Sequence, residues 1–97
     1  MKHATSGSLE RLLDLLTQIR ARKGLRERKP GIVYKKSKAF LHFHEDPAGM
    51  FADLSVGADF ERYPVNTRKQ WKELLLAIDR AMETSQRFRL KVRESTF

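Results

Sequence analysis

An α+β fold is what this sequence predicts: a two-layer sandwich in which an antiparallel sheet of four to five strands carries two helices on one face. Three observations lead there. Between Pro30 and Val65, short β-branched and aromatic runs alternate with turn-forming residues, the pattern of a meander. Apolar stripes at helical spacing flank this region on both sides. Finally, 97 residues suffice for one domain with one modest core. The order read along the chain is α-β-β-β-β-α, with a further C-terminal strand left open.

Residues 1–7 are small and polar and are expected to be disordered. Residues 8–84 form the single domain. Ser8 suits an N-cap, and Leu9, Leu12, Leu13, Leu16 and Ile19 then make one helical face. Arg20, Arg22 and Lys23 fall in the last turn, where cations suit the helix dipole, and Gly24 suits the position after it. Residues 25–29 read as a charged connector closed by Pro30-Gly31. Strands are expected over 32–36, 38–44 and 50–56, with Asp46-Pro47-Ala48-Gly49 as a type I turn. A fourth strand over 60–65 contains Pro64, which cannot donate to a ladder and so belongs at an edge or a strand end. Thr67 and Gln70 have the spacing of a capping box. Behind them Trp71, Leu74, Leu75, Ile78, Ala81 and Met82 form a second stripe, widened by Leu76 and Ala77. Residues 85–97 are an extension, either an edge strand with Phe88, Leu90 and Val92 on one side or a flexible tail.

The net charge of +8 has an address. Residues 20–38 hold nine basic side chains (Arg20, Arg22, Lys23, Arg26, Arg28, Lys29, Lys35, Lys36 and Lys38) against the single acid Glu27. Of the chain's 20 basic and 12 acidic residues this leaves 11 of each, so the remainder is neutral. Such a segment is either a solvated helix end and connector or a stripe that meets phosphates.

Strict alternation divides the sheet into two faces. Ala39, Leu41 and Phe43, with Ala52, Leu54 and Val56, are expected beneath the helices. The opposite face then carries Phe40, His42, His44, Phe51 and Asp53, with Tyr34 beside them. Four readings of that face stand open. It is a half-exposed surface whose rings pack on one another or under the tail, a homodimer interface, a platform for nucleotide bases on Phe40 and Phe51, or a metal site of His42, His44 and Asp53. Residues i and i+2 on a strand project to one side, which is the physical basis of the metal reading. His3 is left out of it because it falls in the N-terminal segment.

Several classes are excluded or lack support. With no cysteine there are no disulfides, thiolate metal sites or cysteine nucleophiles. No apolar run has the length to span a bilayer, and nothing after Met1 resembles a signal peptide, so cytoplasmic residence and no membrane partner are expected. The sequence has no Gly-rich phosphate loop, nucleophile elbow or paired-carboxylate arrangement, so neither an enzyme nor a cofactor is expected.

The stretch Pro30-Gly31-Ile32-Val33-Tyr34-Lys35-Lys36-Ser37-Lys38-Ala39-Phe40, followed by a second hairpin and a closing helix, resembles the YjbR/MmcQ-like group of small bacterial α/β proteins. The likeness covers roughly residues 25–83, with Lys38 and Phe40 at the group's recurrent positions as strand opener and sheet residue. It implies a layout related to the frataxin-like arrangement and a DNA-binding role, with no catalytic residues. The expected function is therefore a small binding module for nucleic acid or another polyanion. The alternatives are a structural protein that dimerises through the histidine-bearing face and a small metal-binding protein.

Overall fold

Two-residue turns build the sheet. The computed structural model describes residues 2–57 and 59–94, with side chains described for 3–57 and 59–82. Strands β2 (Leu25–Lys29) and β3 (Ile32–Lys35) meet at Pro30-Gly31. There proline presets the first turn position and Gly31 takes φ 77, a conformation open to glycine at little cost. Strand β4 (Lys38–Asp46) follows the Lys36-Ser37 corner, and β5 (Gly49–Val56) follows Pro47-Ala48. At the second corner the Asp46 carboxylate accepts the Ala48 N–H at 3.0 Å, the local bond for which aspartate is favoured in turns. Strand β6 (Asp59–Pro64) completes the meander. The order across the sheet is β2-β3-β4-β5-β6, antiparallel throughout. Pro64 ends an edge strand, where no ladder donor is lost.

Two strands lie where sequence patterning expected none. Residues 25–29 form β2 instead of a connector. Its inward positions are Leu25, packed against the core, and Glu27, whose carboxylate accepts the Gly31 N–H at 2.9 Å. The N-terminal segment, expected to be disordered, opens with β1 (Lys2–His3), which pairs with β4 beyond the end of β3. Its anchor is Glu45, whose carboxylate accepts from the Thr5 N–H and the Ser8 hydroxyl.

The N-terminal helix is divided in two. Thr5, not Ser8, caps α1 (Ser6–Glu10), accepting the Ser8 N–H at 3.3 Å. Tight bonds from Arg11 N–H to Ser8 and from Leu12 N–H to Leu9 close that helix, and α2 (Leu13–Arg20) starts again after Leu12. The restart places Leu12, Leu15, Leu16 and Ile19 on the buried stripe at i, i+3, i+4 and i+7. Leu13, expected inside, is 55% exposed. Helix α3 (Arg68–Glu94, 27 residues) begins with the capping box as expected: Gln70 N–H donates to Thr67 Oγ1, and Gln70 Oε1 accepts from the Asn66 and Thr67 N–H groups. Leu74, Leu75 and Ile78 are buried, Trp71, Ala77, Ala81 and Met82 pack beside them, and Leu76 faces outward. Residues 86–94 continue α3 and do not form a strand. The row assigned to Phe88, Leu90 and Val92 lies outside the described side chains.

Val33, Leu41, Phe43, Ala52 and Leu54 meet the helices in one core. Most of the alternation expected for the central strands is therefore present, and both helical layers lie on this face. Val56 is on the same side of β5 but beyond the helices, and it is 41% exposed. No described helix is long and apolar enough to cross a membrane.

Candidate functional site

The basic segment divides by what its side chains touch. Arg20 is held by Glu27, its Nη2 2.7 Å from Oε1. Arg22 grips both oxygens of Asp79 at 2.7 and 3.0 Å and donates to the Gln18 carbonyl, tying α2 to α3. That pairing raises the Arg22 pKa and lowers that of Asp79, the direct hydrogen bond being the largest cause in both. Arg28 lies over the Tyr34 ring, 5.1 Å from its centre. Arg26 and Lys29 stand exposed on edge strand β2.

The other four converge. Lys23 from the end of α2 and Lys35, Lys36 and Lys38 from the β3–β4 hairpin line an open groove of about 1220 Å³ between the sheet end and α3. Arg80 on α3 joins them, and Glu61 is the one acid among the described lining residues. The floor is apolar, lined by Phe40, Val56, Ala77 and Met82 beside Tyr63. Burial there, with Glu61 adjacent, raises the Tyr63 phenol pKa and keeps it neutral. Arg80 carries no sequence signal of its own, because only the packing of α3 brings it to the hairpin.

Phe40 belongs to this side, contrary to the expectation from alternation. Val33 pairs with Leu41 and Tyr34 with Ala39, so Phe40 is the extra residue of a β-bulge. The bulge turns Phe40 into the core at 5% exposure and moves Ala39 out of the inward row. It is therefore unavailable as a stacking surface. The Lys35 ammonium sits 5.7 Å from its ring centre.

The opposite sheet face carries all three histidines. Registers set His3 opposite His44, His44 opposite Phe51, His42 opposite Asp53, and Asp53 opposite Arg62. The His3 and His44 rings are 5.2 Å apart, the His42 and His44 rings 6.1 Å, and the exposed Phe60 ring lies 5.2 Å from His42. Sequence reasoning left out His3, Phe60 and Arg62, whose places depend on a two-residue strand and on the β5–β6 register. Asp53 is fully engaged, accepting from Arg62 at 2.9 and 3.2 Å with His44 Nε2 3.2 Å from Oδ2. The Arg62 hydrogen bond is the main reason its pKa lies below the ordinary carboxylate value. Among the described residues no group of three metal-ligating side chains is arranged to hold an ion.

His42 gives this face a pH response. Its Nε2 is buried without a partner, and burial first, then His44 and His3, lowers its pKa, with Asp53 opposing. A folded value below the ordinary 6.5 means that stability is fully present above that pH and is lost as pH falls through the folded value. The Asp53 contribution has the same sign but sits in a lower window, lost only below the ordinary carboxylate range. Urea midpoints should thus fall between about pH 7 and about pH 5. His42→Phe should flatten that fall, and an unchanged slope in the variant would show that His42 is not its source.

No protein-family model, curated protein or solved structure matches this chain.

Proposed function

We propose that this domain is a non-enzymatic binding module for a polyanion, with nucleic acid as the ligand, and that the lysine-lined groove receives the phosphates. The supporting observation is convergence. Lys23, Lys35, Lys36 and Lys38 come from two separate parts of the basic segment, and Arg80 from a distant helix, yet all five border one groove with a single acid among its described lining residues. Solvated lysines have no reason to gather in this way, whereas a phosphate chain gains from every cation within reach. Arg20 and Arg22 are excluded from the binding set because their charges are already satisfied by Glu27 and Asp79. The likeness of residues 30–40 to a group labelled DNA-binding agrees with this reading. Contacts of this kind fix position and do not read sequence, so little sequence preference is expected.

Fluorescence anisotropy with a random-sequence oligonucleotide over a salt series is the direct test. With three or four phosphates neutralised, log affinity should fall against log salt with a slope of about −2 to −3.5. The double variant Lys36→Ala/Lys38→Ala should bind more weakly, with a slope shallower by about 1–2. A salt-independent or absent response would remove the proposal.

A further inference from the structure

We infer that the open sheet face, through Phe60 with His42 behind it, stacks unpaired bases, so that the nucleic acid held at the groove is single-stranded. This rests on the polyanion reading above and narrows it. Helices pack only on the opposite face, so these rings have no protein layer above them among the described residues. Phe60 is 50% exposed, and its ring lies 5.2 Å from that of His42 in a tilted contact at 38°, which leaves it a side open to a base. Tyr34 lies on the same face three strands away, about 14 Å at ordinary strand spacing, with the Arg28 guanidinium over it. Aromatic rings and guanidinium groups are the side chains on which splayed bases stack.

Position connects the two surfaces. Phe60 follows the β5–β6 turn and Tyr34 precedes the β3–β4 turn, and these two turns supply Gly57, Lys36 and Lys38 to the groove. Phosphates at the lysines and bases on the rings therefore meet at one end of the sheet. The charge on the face does not oppose this: Arg28 borders it, and Arg62 offsets the Asp53 carboxylate. A duplex could use the lysines but not the rings, because its bases remain stacked inside. Only a single strand engages both.

The experiment compares a fluorescent oligothymidine with a duplex of similar length at one salt concentration, by anisotropy. The wild type is expected to prefer the single strand. Phe60→Ala should weaken single-strand binding about 10-fold, leave duplex binding unchanged and keep the salt slope. Phe60→Trp should restore the single-strand affinity. Equal binding of both forms, or an unaffected Phe60→Ala, overturns the platform while leaving the polyanion reading intact. Failure of the wild type to bind either form overturns both. A concentration-dependent dimer in sedimentation that Phe60→Ala abolishes would assign this face to a second copy instead.

Discussion

Phe43→Ala will lower the unfolding free energy by about 3–5 kcal/mol, the expected loss for emptying a fully buried aromatic site. Phe43 is 1% exposed on the long central strand, among the residues that both helical layers cover. Its neighbours are held by backbone pairing on both sides: its N–H donates to the Gly31 carbonyl and its carbonyl accepts the Ala4 N–H. This pairing limits collapse into the void, so most of the cavity term remains. A domain of this size has roughly 5–15 kcal/mol in total, so much of the fold's margin would disappear. Chemical denaturation reads the effect directly. Leu13→Ala is the control, because this residue is 55% exposed and should change stability by less than about 0.5 kcal/mol. Similar losses at the two positions would show that the buried stripe is misassigned. Because Phe43 lies between His42 and His44, its removal would also loosen the strand that presents both rings.

Gly49→Ala will be the most damaging small change outside the core. Gly49 has φ 135, a region that side-chain-bearing residues rarely enter, which costs about 1–3 kcal/mol. An added Cβ would also lie 2.8 Å from Asn66 Oδ1. The Asn66 amide accepts the Met50 N–H at 2.8 Å and donates to the Met50 carbonyl at 3.1 Å, fastening β5 to the start of α3. Displacing it removes two bonds of about 1 kcal/mol each, for a total of about 3–5 kcal/mol. A double-mutant cycle separates the two causes. On an Asn66→Ala background, Gly49→Ala should cost about 1–2 kcal/mol less, since the contact has already gone. An equal cost on both backgrounds would leave backbone strain as the whole explanation.

What the sequence disclosed follows from how local each determinant is. Two of the hairpins were legible because the Lys36-Ser37 corner and Asp46-Pro47-Ala48-Gly49 state their turns in adjacent residues, whereas Pro30-Gly31 read only as the close of a connector. The capping box at Thr67 and Gln70 was legible for the same reason. The inward row of Leu41, Phe43, Ala52 and Leu54 followed from alternation. Alternation also misplaced Phe40, since a bulge is a mismatch between two strands and leaves no mark on either one alone. Strand β2 was hidden because an edge strand can carry Arg26, Arg28 and Lys29 into solvent, which makes it read as a linker. His3 was set aside because two residues have no measurable period. The lysines of the groove could be named from the sequence, but the arrival of Arg80 there and the pairing of Arg22 with Asp79 depend on where α3 lies. Phe88, Leu90 and Val92 alternate like a strand, yet the backbone continues a helix through them.

The two outer strands set a limit on self-assembly. One rim of the sheet shows a run of mixed charges and a kink beside Arg28, and the other stops at a proline. Neither rim offers the flat, unguarded ladder along which sheets of neighbouring molecules fuse. Copies of this protein are thus discouraged from joining side by side into larger sheets. That guard lies in a handful of edge residues and does not involve the two broad faces.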